Sequence, residues 1–422
     1  MPALSGVNAL VGLMLPLLLG PAQFGRYAIV VTLFQYGLVF DFGLSQLIDR
    51  RVPVLAAAAD PTALERFVAP VLWLRLYIAG GALALGCGVM AWLDAAGRLP
   101  FGYWSGVLSL AAGLSFMVTL GPGSVYRASS RRRLFGQLNI VGMVILAVAR
   151  PVGMVTGGIF GCFAALAACQ VAMAVAVQAQ MPLVLARRPG LAAARSLLLQ
   201  GVPLFLTSFV WAFYMTANRW VVSTMAPELT LGQFAFGANI VTLIVGALGA
   251  MSQFYYPKIV SRFAAGAPFA VSRPVRRDFL LLLAGATLVT AVGLRVGPLL
   301  IAMLYPKFAG AASGAQIMLL AMPGLVLAAW LMPLALSTAK RPWLEGLLVY
   351  PPALIVLMAA THAGYRIAGI DGAAYGLVAS ALPLLALQLG ALRLTRLLGT
   401  RDASIIFVAT AAATAALWLM LP

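Results

Sequence analysis

The chain has 422 residues, 63% of them hydrophobic and only 9% charged, against roughly 25% charged in an ordinary soluble domain. That composition excludes a soluble globule. With ten acidic residues and a single histidine, His362, acid–base and metal chemistry have little raw material. No cofactor is expected.

Apolar runs of about 20 residues, enough to cross a bilayer core as helix, recur thirteen times, with twelve to fourteen as the range. They fall near 3–20, 26–48, 67–93, 102–121, 136–157, 159–180, 200–218, 232–254, 278–304, 312–337, 343–361, 370–392 and 404–421. None shows sustained period-2 alternation, so barrel strands are a poor alternative. The first run lacks a basic flank and a cleavage site, which reads as a retained helix rather than a signal peptide. Cys87, Cys162 and Cys169 lie inside apolar stretches and are expected to pack as small apolar side chains.

The net charge of +18 would suggest nucleic acid if the cations shared one surface. They do not. Twenty basic residues follow even-numbered runs, five follow odd-numbered ones, and Arg75, Arg150 and Arg295 lie within runs. This positive-inside signal places the N-terminus and the even connections in the cytoplasm. No nucleic-acid partner is expected, whereas membrane lipids are. The glycine-containing basic stretch "GPGSVYRASSRRR" at 121–133 lacks phosphate-loop spacing and is expected to be a cytoplasmic loop anchored to anionic headgroups.

The expected organisation is a six-helix bundle over 1–180, a cytoplasmic linker at 181–199, a second six-helix bundle over 200–392, and a basic loop with an extra C-terminal helix over 393–422. "FGRYA" at 24–28 and "LGQFA" at 231–235 lie 207 residues apart at the start of corresponding helices, and the same offset pairs Ser45 with Ser252, Gln46 with Gln253 and Arg51 with Lys258. Six helices per half give both halves the same orientation, as in parallel-repeat transporters.

Four stretches carry a resemblance: "LLLGPAQFGRYAIVVTLFQYGLVFDFGLSQLIDRRV" at 17–52, "NRWVVSTMAPELTLGQFAFG" at 218–237, "LYPKFAGAASGAQIMLLAMP" at 304–323 and "AGIDGAAYGLVAS" at 368–380. In this order the chain resembles the polysaccharide (O-antigen and lipid-linked oligosaccharide) flippases of the multidrug/oligosaccharidyl-lipid/polysaccharide exporter superfamily. The resemblance implies an all-α polytopic membrane protein, two six-helix bundles around a central cavity, in a bacterial inner membrane. It implies transport of a lipid-linked oligosaccharide between leaflets, with a polysaccharide polymerase and chain-length proteins as partners. Two departures stand out: the first helix begins two residues after Met1, and a thirteenth run leaves an odd count.

Intramembrane charge is costly and by default faces a cavity or a partner. Asp41, expected on one helical face with Phe34, Gly37, Leu44, Ser45 and Ile48, qualifies, as do Arg75, Arg150 and Arg295, with Arg219 marking the outer end of the seventh run. Guanidinium forks bind a diphosphate bidentately, which suits a polyprenyl diphosphate; snorkelling to the interface is the competing structural explanation. A cation-coupled small-molecule exporter would be expected to carry more cavity acids. A polytopic glycosyltransferase or polymerase would need catalytic residues on sizeable outer loops, where Asp94, Glu228 and Asp371 are isolated.

Overall fold

A computed structural model describes residues 11–57, 61–128, 132–180, 190–250, 272–338, 347–394 and 396–421. Among them the regular structure is entirely helical: α1 (11–18), α2 (Pro21–Val39), α3 (Leu44–Ala57), α4 (Pro61–Ala95), α5 (Tyr103–Ala128), α6 (Arg132–Ala179), α7 (Leu191–Ser223), α8 (Glu228–Ala250), α9 (Ser272–Leu304), a 3-10 turn (Pro306–Ala311), α10 (Ala312–Leu319), α11 (Met322–Thr338), α12 (Tyr350–Leu394) and α13 (Thr400–Trp418). By length and hydropathy the described residues contain seven membrane-crossing helical segments, or eight with the bent pair Pro306–Leu319 and Met322–Met332, which meet at 60°.

Two of these segments are double. The 48 residues of α6 would measure about 72 Å if straight, more than twice a bilayer core. The helix instead breaks at Gly157 (φ −137°, ψ 17°) and Gly158 (φ 58°, ψ −145°). Gly153 packs its backbone against the carbonyl of Gly161, although eight residues span about 12 Å in a straight helix. The chain therefore folds back as a tight helical hairpin at the boundary expected between 157 and 159. The second hairpin, in α12, repeats the geometry at Ala368 (φ −139°, ψ 26°) and Gly369 (φ 59°, ψ −134°), with Gly364 against Gly372. Here the expected ends, 361 and 370, left the first arm too short.

Other expectations are corrected. The run at 26–48 is not one helix, because it breaks between Val39 and Leu44. The stretch at 121–133 is not all loop, since helix continues to Ala128 and resumes at Arg132. The pairs with Ser252, Gln253 and Lys258, and most of the connections at 181–199 and 255–277, lie outside the described residues.

Packing divides the chain into two compact units, Ile29–Ala212, and Met1–Ala28 with Phe213–Pro422. The chain thus passes between units inside α2 and α7. Local contacts explain both crossings. Gly43 and Gly201 approach backbone to backbone and Gln46 donates to Ser208 at 2.8 Å, which ties the first half of α7 to α3. Gly25 lies against Gly232, which ties the start of α2 to α8.

The extra helix α13 is docked. Ala403 and Ile406 of α13, with Leu397 and Leu398 before it, share a buried cluster with Val275, Phe279 and Leu283 of α9, Leu327, Trp330 and Leu331 of α11, and Leu385, Leu389 and Leu392 of α12. The Phe279 ring meets Trp330 edge-on at 4.7 Å. Lipid tails are as apolar as leucine, so such a cluster holds by close packing rather than by removal from water.

Candidate functional site

The break after α2 is written into "VFDFGLS". Asp side chains offer the backbone an alternative to helical hydrogen bonding, and Asp41 takes it: its Oδ1 accepts the Gly43 N–H at 2.9 Å and its Oδ2 the Ser45 N–H at 2.7 Å. Phe42 and Gly43 consequently adopt φ of +50° and +78°. The Asp41 carboxylate thereby caps α3, satisfying donors that a helix start leaves open.

Arg75 of α4 completes the site. Its side chain is fully buried and donates to Ser45 Oγ at 3.0 Å and to the Met117 carbonyl of α5, with Asp41 Oδ2 at 3.8 Å. A buried guanidinium in an apolar span is tolerable only when paired and hydrogen-bonded. One arginine thus holds α4 and α5 against an unwound turn. Phe40, Phe42, Phe205 and Phe209 surround that turn, with Phe42 and Phe205 centroids 4.9 Å apart and Phe40 and Phe205 edge-on at 5.6 Å.

The remaining candidates are separate. Arg219, 2% exposed on α7, donates to Thr242 Oγ1 of α8 at 3.1 Å. Arg150 is half-buried on α6 beside the Cys162 side chain across the hairpin turn. Arg295 is exposed on α9, in helical register with exposed Leu288, Val292 and Leu299. The structure therefore joins Asp41 to Arg75 and leaves the other three at their own positions. All three cysteines are free thiols.

Some buried polar groups carried no signal in the sequence. Tyr214 and Ser380 share a hydrogen bond of 2.7 Å, and Gln388 donates to the Tyr350 hydroxyl at 2.9 Å. Each is a lone polar residue in an apolar run, and only its partner distinguishes it.

No protein-family model matches the sequence, and no curated protein matches it. Solved structures do match. An inward-facing multidrug-resistance transporter of the MATE family and MOP superfamily aligns over 99% of this chain and 96% of its own, with a TM-score of 0.66 and 13% identity. The fold is that of the MOP-superfamily transporters. The lipid II flippase MurJ, in an inward closed conformation, aligns over 99% and 98% with a TM-score of 0.62 and 10% identity. A MOP-superfamily transporter from Pyrococcus furiosus aligns over 99% and 94% with a TM-score of 0.59 and 13% identity. The same architecture thus serves neighbours described as a multidrug-resistance transporter and as a lipid flippase.

Proposed function

We propose that the protein carries a lipid-linked oligosaccharide on polyprenyl diphosphate from the cytoplasmic to the periplasmic leaflet of a bacterial inner membrane, supplying a polymerase and chain-length proteins that build surface polysaccharide. The observation that carries this reading is the state of Asp41. It sits in the break between Val39 and Leu44, inside the membrane-crossing segment Pro21–Ile48. Its carboxylate is occupied by two backbone N–H groups and faces Arg75. A cation-coupled exporter needs a carboxylate that can take up its cation, and this one is committed to holding a broken helix. Arg150, in contrast, puts a cation deep within α6, which suits an anionic headgroup.

In this proposal Arg75 and Asp41 form the structural clamp, and Arg150, half-buried within α6, binds the diphosphate. Arg295, exposed among apolar side chains, serves as an interfacial anchor. The N-terminus and the even connections are cytoplasmic.

The test is complementation of a flippase-null strain, with surface polysaccharide and membrane levels quantified. The wild-type chain should restore polysaccharide. Neutralising Arg150 to glutamine should cut restoration at normal protein levels, because one charge-assisted hydrogen bond at about 1.5 kcal/mol or more amounts to roughly one order of magnitude in affinity. Resistance to cationic drugs without restored polysaccharide would instead establish the exporter reading.

A further inference from the structure

Where α9 begins and α13 begins, a cleft of about 450 Å³ is lined by Arg273, Arg276, Arg401 and Asp402. Three cations and one acid leave it positively charged, and its frame is built. The buried Asp402 carboxylate accepts from Arg276 at 2.6 Å and from the Ser272 hydroxyl, while Ser272 Oγ accepts the Gly399 N–H at 3.1 Å. The acid is therefore spent on Arg276 and Ser272. Arg273 and Arg401 enter no ion pair among the described residues, and both are exposed. Two guanidinium groups at one cleft offer the fork geometry that matches phosphate oxygens.

The surroundings indicate the source of the phosphate. Arg273 and Arg277 stand at the end of an exposed stripe on α9 that continues at helical spacing through Leu281 and Leu288, each 65% exposed, to Val292 at 53%. A soluble phosphate has no use for such a stripe. Acyl chains do.

We infer that the cleft between α9 and α13 binds the phosphate of an anionic phospholipid, with the headgroup between Arg273 and Arg401 and the acyl chains along the exposed stripe of α9. This site is separate from Asp41 and Arg75 and does not depend on which substrate the protein transports. It gives the extra C-terminal helix a task, since α13 supplies Arg401 and Asp402.

The experiment is native mass spectrometry of the full-length protein in detergent with equimolar phosphatidylglycerol and phosphatidylcholine. The wild type should retain the anionic lipid at least ten-fold over the zwitterionic one. The pair Arg273→Gln and Arg401→Gln should lose that preference, Arg98→Gln should keep it, and inorganic phosphate at ten-fold excess should not displace the lipid. Unchanged retention in the double variant would overturn the site. Displacement by inorganic phosphate would overturn the assignment to lipid in favour of a free phosphate. Should the double variant fail to accumulate, the wild type is titrated with salt: the preference must fall as ionic strength rises, and a preference indifferent to salt also overturns the proposal.

Discussion

Gly25 and Gly232 pack against each other reciprocally. A Cβ on Gly25 would lie 2.6 Å from the Glu228 carbonyl oxygen, and one on Gly232 would overlap the carbonyl of Pro21. Pro21 and Glu228 are separated by the same 207 residues as the two glycines, so the starts of α2 and α8 meet as equivalents. Gly25→Val or Gly232→Val should destabilise the protein by about 1–3 kcal/mol or more through overpacking, because the obstructing atoms are backbone. Gly20→Val, where nothing lies within 4 Å, should be far milder. Thermal unfolding in detergent would check the order, and equal midpoints for all three would refute it.

The nearby pair Arg26 and Glu228 makes the opposite point. Its 2.7 Å contact is half exposed on both sides, so Glu228→Gln should change stability by no more than about 1 kcal/mol. A larger fall in the same unfolding assay would show that the contact between α2 and α8 rests on charge rather than on the glycine crossing.

The hairpin turns separate strain from sterics. Neither Gly157 nor Gly158 has an atom within 4 Å of an added Cβ, yet only Gly158 has positive φ. Gly158→Ala should therefore cost about 1–3 kcal/mol through backbone strain, while Gly157→Ala should be nearly neutral. Gly369→Ala should repeat the Gly158 result. Membrane accumulation and unfolding midpoints of the three variants decide it.

For Asp41 and Arg75 the expected signature is partial rescue. Arg75→Gln alone leaves a buried carboxylate without its opposite charge and Asp41→Asn alone leaves a buried cation, each costing about 3–5 kcal/mol where the charge stays unpaired. The double variant should be more stable than either single one, since an amide oxygen at position 41 can still accept one N–H of the capped turn. A double-mutant cycle on unfolding midpoints measures the coupling, and strict additivity would remove the ion pair from the account.

Orientation is tested in a cysteine-free background. A cysteine at Ala96, exposed after α4, should react with an impermeant reagent added to intact cells. One at Leu191, 91% exposed at the start of α7, should react only after the membrane is opened. The reverse pattern would invert the assignment drawn from basic residues.

Span positions were legible because apolar length and charge placement are one-dimensional signals. The break between 157 and 159 appears in the sequence as a pair of glycines between two apolar runs. The interruption at Asp41 was not legible as a break. A single acid in an apolar run is equally compatible with a helix face, and only its bonds to Gly43 and Ser45 show the backbone turning aside. Arg75 and Arg295 look alike in sequence, each an arginine in an apolar run. Burial by α5 separates one from the other, and that is set by contacts distant along the chain.

The stripe on α9 also fixes a distance. From Arg273 to Arg295 the helix advances about 33 Å at 1.5 Å per residue, close to the roughly 30 Å thickness of a bilayer hydrocarbon core. On the proposed role of Arg295 as an interfacial anchor, and with exposed leucine and valine between them, the two cations act as the end marks of a ruler. A membrane thinner than this interval must tilt the helix or thicken locally around it, and a thicker one must thin locally or draw a cation inward. On that role, one face of one helix carries the thickness of core that α9 matches without tilting.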